Sequence, residues 1–434
     1  MSKNDRDRTL TSPLRYAVGV LGTSIATSLI NARGNFFFND FFGLGLQFIA
    51  ILNAVYAVLD IFSTPIFGVA SDRTNTRFGR RKPWMLISAP LYLLFSVLFF
   101  CPPPSIVGSI LIVATYYGVF RTFTRLLSSI LAINYQALLP ELFEDPRLRN
   151  KANAISQVMN IVGMIIGVSM VPLIIDAWGY RLVALVTGII GTVFYLYSTF
   201  GCRENPNFAS KEESPKLISS MRDILKNRNM LAVGFTHLMT ESTLTLTLTS
   251  LPFYVRYTLE GASSTEALLS GALFITVIIC VYFSSKLVNR FGALKVWRYS
   301  LISVALGYGA MYLLNSLYGS IAAVLVIGAC YSGFAATTDL MQSRIAEEDA
   351  AATGIRREAL IFSVLSTFKK LCLLVISFVF MLIFLIYGFE SGANPGEHAY
   401  SAARSMMTLA PAILMLAAFF ASGLVKSEMK VSDE

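Results

Sequence analysis

The sequence predicts an all-α membrane protein in which twelve transmembrane helices form two related six-helix halves. Three observations carry this prediction: an apolar composition, a regular series of long apolar segments, and a loop motif that occurs twice. Of the 434 residues, 55% are hydrophobic and 14% are charged, whereas soluble domains carry about 25% charged residues. Such a chain has too little polar surface to cover itself in water, so the lipid bilayer is its expected surrounding.

Twelve apolar segments are long enough to cross a bilayer, which takes about 20 residues of α-helix. An even number of crossings places both ends of the chain on the same side of the membrane. In chain order, we expect the helices near 14–37, 43–70, 83–103, 107–138, 152–176, 179–200, 229–257, 264–288, 296–316, 319–341, 359–388 and 402–425.

Lysine and arginine are distributed very unevenly between the two sides of this topology. Of the 35 Lys and Arg residues, 27 lie on the side of the termini and four lie on the opposite side. Cytoplasmic loops carry the excess of these residues, so we expect a multi-pass protein of the plasma (inner) membrane with both termini in the cytoplasm. The net charge of +9 therefore reports topology, and nucleic acid is not an expected partner.

A polar stretch from Cys202 to Asn229 divides six predicted helices from six others. We expect an N-terminal half over 1–201, a cytoplasmic linker over 202–228 and a C-terminal half over 229–434. Within the linker, residues 216–228 can form a short amphipathic helix at the membrane surface. The pattern R-F-G-x-x-K-x-W occurs at 77–84 and again at 290–297. Two parallel six-helix halves are typical of the major facilitator fold, whose substrate site lies near the bilayer midplane between the halves.

The first copy of the repeated loop places one acid, Asp72, among several cations. A carboxylate in such a cluster can form charge-assisted bonds with neighbouring helix ends, which would hold a cytoplasmic gate in one of two arrangements. The alternative is that the loop only anchors the topology. The candidate gate residues are Asp72, Arg73, Arg77, Arg80 and Arg81, together with Arg356 and Arg357 in the second half.

Four stretches resemble the glycoside–pentoside–hexuronide:cation symporters, the group that contains melibiose permease. The first is the loop over 68–83, and the second is the run from Asp60 to Gly68 in helix 2. The others are I-N-Y-Q-A-L-L-P-E-L over 133–142, which includes Tyr135, and G-I-R-R-E-A over 354–359 followed by F-K-K-L over 368–371. The resemblance covers both halves. It implies cation-coupled transport of a small sugar-like solute, with Na⁺ or H⁺ as the coupling ion and no bound cofactor.

Asp60 is a carboxylate well inside predicted helix 2, where an ionisable group is costly and therefore a functional candidate. Ser63 and Thr64 follow at i+3 and i+4 on the same helical face. Such oxygen ligands suit a hard cation such as Na⁺, but Asp60 could instead carry a proton or simply pair with an arginine. The resemblance implies a coupling-cation site here, with Ser129 as a further hydroxyl ligand. Thr64 stands where the family has its second carboxylate.

The acidic residues with which the family binds neutral sugars are absent from the matching positions. The register places Ser24 and Ala132 at two acid positions and Gln157 at an arginine position, whereas the lysine of helix 11 is retained as Lys370. The resemblance therefore does not imply a melibiose-like contact set.

Arg121 and Arg125 lie one turn apart near the middle of predicted helix 4. Arginine binds carboxylate, phosphate and sulfonate groups through paired donors. We therefore expect an anionic solute such as a uronide, a sulfonated sugar or another organic anion. The alternative is that both arginines form structural ion pairs with Asp60 and Glu241. The expected solute-binding residues are Arg121, Arg125, Lys370, Ser24, Gln157, Tyr135 and Glu241.

These patterns together predict a secondary active symporter that works by alternating access, as a monomer. A lysolipid or other amphiphile carrier and a transporter-like sensor without turnover are the alternatives. The sequence shows neither a nucleophile–base constellation nor a metal-binding cluster, so an enzyme is not expected. On predicted helix 7, His237 and Glu241 are spaced i,i+4 and form either a proton relay or, as we favour, a hydrogen-bonded pair.

Overall fold

The computed structural model describes residues 12–74, 76, 79, 81–104, 108–143, 145–202, 226–314, 316–353, 358–390, 392 and 394–425. Within these ranges the chain is helical apart from its short connections and one isolated bridge between Thr76 and Gly79. Eight helical segments of the described chain have the length and hydropathy of a membrane span. One of them, over residues 147–201, contains two of the predicted helices.

The N-terminal half consists of six helices. They are α1 (Pro13–Phe42), α2 (Leu46–Arg73), α3 (Lys82–Phe99), α4 (Ile110–Leu142), α5 and α6. Helix α5 comprises Pro146–Ile165, a π-helical turn at Ile166–Met170 and the part of Val171–Gly201 that precedes Gly179. The chain kinks at Gly179, whose φ of 73° favours glycine. Helix α6 is the part of the same segment that runs from Gly179 to Gly201.

The C-terminal half contributes six more helices. They are α7 (Arg228–Tyr257), α8 (Ser263–Phe291), α9 (Ala293–Leu313), α10 (Leu317–Thr353), α11 and α12. Helix α11 comprises Glu358–Lys370 and Cys372–Tyr387, and Leu371 between them keeps helical dihedral angles. Helix α12 comprises Ala399–Arg404, a π-helical turn at Ser405–Leu409, and Ala410–Gly423.

The twelve predicted helices are confirmed, with differences at their ends. Helix α10 extends about three turns beyond the predicted residue 341 because its apolar segment is followed by Glu- and Ala-rich sequence with high helix propensity. Helix α7 contains many threonines and serines, yet it remains helical because backbone polar groups in lipid must be satisfied within the segment. Their hydroxyls donate to carbonyls four residues earlier. Most of the predicted linker, residues 203–225, lies outside the described residues.

Within the N-terminal half, small residues allow close helix packing, as is common in membranes. A Cβ atom on Gly22 of α1 would lie 2.6 Å from the carbonyl oxygen of Gly191 on α6. Between the halves, α1 packs against α7, α2 against α11, and α5 against α8. These three contacts surround the central cavities described below.

A polar cluster, here called the far-side latch, joins the halves on the side opposite the termini. Arg33 of α1 lies 2.7 Å from Glu266 of α8, and both side chains are buried. Asp40 of α1 contacts two groups of α7, the Arg256 guanidinium at 3.1 Å and the Tyr257 hydroxyl at 2.9 Å. The latch therefore closes the protein on this side.

We predict that Glu266→Gln opens the far side. Removing one partner of a buried ion pair costs about 3–5 kcal/mol because the other charge remains buried, so the closed population should fall at least about tenfold. The measurement is the distance distribution between spin labels at Trp178→Cys and Ala262→Cys, with the five native cysteines replaced by serine.

The matched control is Asp176→Asn. Asp176 accepts a hydrogen bond from Ser263 at 2.9 Å beside the latch, and the variant leaves the Arg33–Glu266 pair intact. If Glu266→Gln and the control show the same distances as the parent, the ion pair does not hold this side closed.

Candidate solute and cation site

The larger of two adjoining central cavities has a volume of about 790 Å³. Its walls come from α1, α4, α5 and α6 of one half and from α7 and α11 of the other. It extends to Tyr16, Leu139 and Asn153, which lie near the helix ends on the side of the termini. The far-side latch lies beyond the opposite end of the cavity. The cavity therefore runs from the middle of the helices towards the terminus side.

The smaller cavity has a volume of about 190 Å³ and lies beside the larger one. Both are lined by Asn31 of α1 and by Glu241, Thr245 and Thr249 of α7. The charged residues of its wall are Arg121, Arg125, Glu241, Lys369 and Lys370. Four of these five side chains are cationic.

Asp60 is 1% exposed and contacts two of these cationic residues, Arg125 and Lys370. The Arg125 guanidinium contacts its Oδ2 through Nε at 3.1 Å and Nη2 at 2.9 Å. At the other oxygen, Oδ1, the Ser129 hydroxyl donates a hydrogen bond and Lys370 Nζ lies at 3.7 Å. The structure thus brings together four residues from α2, α4 and α11 that the sequence analysis singled out.

The predicted oxygen stripe on α2 is only partly present around this carboxylate. The Ser63 hydroxyl donates to the backbone carbonyl of Asp60 at 2.9 Å, and the Thr64 side chain lies outside the described residues. Arg125 and Lys370 place nitrogen donors against Asp60, and such groups cannot coordinate Na⁺, which takes oxygen ligands by analogy with other hard cations. The predicted cation site at Asp60, Ser63, Thr64 and Ser129 stays a prediction.

Arg121 lies in a different setting from Arg125. Its side chain is 5% exposed, and Nη2 donates to the Asn31 side-chain oxygen at 3.1 Å. Its guanidinium carbon lies 5.3 Å from the centre of the Tyr56 ring. Among the described residues no carboxylate lies within ion-pair distance, and Nε has no hydrogen-bond partner there. The alternative that both arginines form structural ion pairs therefore holds for Arg125 alone.

A set of asparagines completes the charged region, and the sequence analysis did not assign them. Asn31 and Asn35 lie one turn apart on α1, and Asn53 lies on α2. The Tyr117 hydroxyl is 2.7 Å from the side-chain oxygens of both Asn35 and Asn53. Asn31 and Asn35 could have been identified from the sequence, because two amides spaced i,i+4 lie on one helical face of an otherwise apolar segment.

Ser24 and Gln157 line the larger cavity, where α1 and α5 face each other. Ser24 donates a hydrogen bond to Asn160 at 2.6 Å. Tyr135 also lines this cavity, but its ring stacks on Tyr16 at 4.2 Å and its hydroxyl bonds the Tyr16 carbonyl. Tyr135 is thus held by protein contacts near the end of α4.

The predicted hydrogen bond between His237 and Glu241 is wrong. Both ring nitrogens of His237 lack a hydrogen-bond partner in the described structure, and the imidazole lies edge-on to Phe334. Glu241 lines the two cavities instead. The i,i+4 spacing brings two positions to one helical face, but it does not fix the rotamers that a hydrogen bond requires.

The candidate gate lies almost wholly outside the described residues. This applies to Arg77, Arg80, Arg356 and Arg357 and to the side chains of Asp72 and Arg73. Arg81 is described and directly precedes α3. The gate stays a prediction.

Comparison with known proteins agrees with this architecture. The profile of a family described as MFS/sugar transport protein matches residues 15–424. An isoprimeverose transporter of Lactiplantibacillus pentosus is 24% identical over 319 residues, which are 69% of this chain and 64%, less than two thirds, of that transporter. A glucuronide carrier protein homolog of Escherichia coli (strain K12) is 23% identical, with 93% of this chain and 91% of the relative covered.

A solved structure shows the same fold. It is a bacterial homolog of the human lysosomal transporter Spinster in an inward-facing and unoccupied conformation, with a TM-score of 0.68, 17% identity and 98% of each chain covered. These similar proteins are transporters rather than enzymes. Because the family profile spans both six-helix halves, this multi-pass membrane chain belongs to the MFS/sugar transport protein family, as its resemblance to the glycoside–pentoside–hexuronide:cation symporters predicted.

Proposed function

We propose that the chain carries an anionic, sugar-like solute across the plasma membrane by cation-coupled symport and alternating access. The observation that carries this proposal is the charge balance at the smaller cavity. Among the described residues, four cationic side chains line it, against one lining carboxylate, Glu241, and the buried Asp60, which contacts Arg125 and Lys370. Uncompensated charge at membrane depth is costly, and an anionic solute would supply the missing negative charge.

The two arginines would have different roles in anion binding. Arg121 is bound to the neutral Asn31 side chain, so its guanidinium can accept a carboxylate or sulfonate as a paired donor. Arg125 is already held by Asp60, so an anion must compete for it. The name of one relative, a glucuronide carrier homolog, is consistent with such a solute.

Competition between Asp60 and a bound anion for Arg125 would couple proton binding to solute binding. A proton on Asp60 would weaken its attraction to Arg125, and the guanidinium could then bind the solute more tightly. By linkage, a bound anion that attracts Arg125 favours protonation of Asp60 to the same extent. Because the described contacts of Asp60 already include two cationic side chains, Arg125 and Lys370, we favour the proton as the coupling ion.

Alternating access would follow from the position of the site between the halves. The far-side latch is closed, whereas the larger cavity extends towards the termini. The Lys and Arg bias assigns the terminus side to the cytoplasm, so we infer that the structure faces inward. Opening the latch and closing the terminus side would expose the same residues to the outside.

The amphiphile-carrier alternative predicts a continuous apolar track beside the arginines. The larger cavity is lined by apolar residues such as Leu139, Met164 and Leu248, and also by amide and hydroxyl side chains on α1, α4 and α5. The polar groups and the four cationic side chains of the smaller cavity favour a polyhydroxylated anion over an amphiphile.

We predict that Arg121→Gln weakens binding of glucuronate about 10- to 100-fold, because a hydrogen bond to a charged group is worth about 1.5–3 kcal/mol. Binding of neutral methyl glucoside should change less than about twofold. Both affinities are measured by titration calorimetry on the purified chain. Arg290→Gln is the control, since it removes an exposed cation at the end of α8 that lines neither cavity. An equal loss for both ligands in Arg121→Gln would discard the anion proposal.

We predict that Asp60→Asn abolishes gradient-driven accumulation but preserves exchange of internal for external solute. The asparagine keeps the shape of the side chain but cannot bind a proton or other cation by charge. Uptake of radiolabelled glucuronate into proteoliposomes is measured with a proton gradient, with a Na⁺ gradient and under counterflow. Asp176→Asn is the matched control, and undiminished uphill uptake by Asp60→Asn would remove Asp60 from the coupling mechanism.

A further inference from the structure

Helix α8 presents one stripe of exposed side chains on its outer surface. The helix begins beside the far-side latch and ends at Phe291, on the side of the termini. Positions three and four residues apart share a helical face, and in this order the stripe contains Ile279, Tyr282, Phe283, Lys286 and Arg290. The first three side chains are 57%, 62% and 58% exposed. In a membrane-spanning helix, an apolar, then aromatic, then cationic order leads from the acyl chains to the headgroups, so the two cations lie at headgroup depth.

Helix α9 adds a third cation where it begins. Only Gly292 separates the end of α8 from the start of α9, and its φ of 84° is one that favours glycine. Lys295 lies in the first turn of α9 and is exposed, and Tyr299, one turn further along, is 68% exposed. Each of the two helices thus places a lysine and a tyrosine four residues apart beside the same turn. We call this surface the α8–α9 corner; it consists of Tyr282, Lys286, Arg290, Lys295 and Tyr299.

The charge of the α8–α9 corner is positive and has no counter-charge from the described protein. Residues 267–338 contain four Lys and Arg residues and no Asp or Glu. One of the four, Arg298, is bound to backbone carbonyls at the end of α12. The other three belong to the corner, and in the part of the chain that the structure describes no carboxylate lies within ion-pair distance of them. Three cationic groups at one turn therefore await an anionic partner.

The aromatic rings hold two of these cations at the membrane interface. Lys286 Nζ lies 4.4 Å from the centre of the Tyr282 ring, and the Arg290 guanidinium carbon lies 5.2 Å from the centre of the Phe291 ring. A cation over a ring is attracted by the ring quadrupole, and tyrosine itself favours headgroup depth. Lysine and arginine both bind phosphate, the first as a point charge and the second through paired donors. The corner thus has the chemistry of a phosphate site beside an apolar surface.

We propose that the α8–α9 corner binds the headgroup of an anionic phospholipid in the leaflet on the side of the termini. Lys286, Arg290 and Lys295 contact the phosphate, and the acyl chains lie along Ile279 and Phe283. A zwitterionic lipid brings a positive group to this cationic surface and is therefore bound less tightly. None of these residues lines a central cavity, so the inference does not depend on the solute or the coupling ion.

The test is native mass spectrometry of the purified full chain in detergent, titrated with phosphatidylglycerol or with phosphatidylcholine. Each cation near an anionic headgroup contributes about fivefold in affinity, so we expect phosphatidylglycerol to bind at least about tenfold more tightly. Equal affinities for the two lipids would overturn the proposal. Inorganic phosphate is the third probe, and if it displaces phosphatidylglycerol at equal concentration, the corner is a site for free anions and not for lipid.

A double variant locates the site. Lys286→Gln combined with Arg290→Gln should weaken phosphatidylglycerol binding about 10- to 30-fold. Unchanged phosphatidylcholine binding by the same variant shows that it is folded. The matched control is Arg147→Gln combined with Lys151→Gln, which also removes two exposed cations spaced i,i+4 on the side of the termini. Residues 141–151 carry three acids and three cations, so the control should change phosphatidylglycerol binding less than about twofold. Equal losses in the two double variants would assign the attraction to the whole positive surface and overturn the proposed site.

Discussion

Buried charge must be matched inside a membrane, and the Asp60 cluster shows how this chain meets that requirement. The carboxylate lies between Arg125 and Lys370, with a hydroxyl from Ser129 on one oxygen. Asp60 and Arg125 belong to the N-terminal half, whereas Lys370 belongs to the C-terminal half. The same electrostatic requirement therefore stabilises a charge and connects the two halves at mid-membrane depth. Any ligand that changes this balance also changes the contact between the halves.

A second set of charges connects the halves at a different depth. The Arg33–Glu266 pair closes the side opposite the termini, and opening that side requires these two groups to separate. A buried pair gains little over a well-packed apolar contact, but losing one partner is expensive. Such pairs suit a protein that must exchange partners, because each charge can be compensated by solute, water or another residue as the halves move.

The helices and the central charged residues were predictable from the sequence because both follow from the free-energy cost of placing a polar or charged group in lipid. A long apolar segment must be a helix in lipid, and an arginine or aspartate within it must find a polar environment. The pairing of Asp60 with an arginine was one of the alternatives that this reasoning left open, whereas its contact with Lys370 was not predicted. The asparagines around Arg121 and the partner of Glu266 were not predicted either, because they depend on how separate helices rotate against each other. His237 shows the same limit, since its spacing from Glu241 is helical but its imidazole lies against Phe334.

Helix α11 packs on both halves along its length. The segment that ends at Lys370 packs mainly on α7 of its own half, whereas the segment that begins at Cys372 packs most extensively on α2 of the other half. Leu371, between the two segments, keeps helical dihedral angles, and backbone hydrogen bonds from Leu371 to Thr367 and from Val375 to Leu371 carry the helix through this position. One continuous helix therefore bridges the two halves, and Lys370 lies where its neighbours change from one half to the other, beside the carboxylate of Asp60.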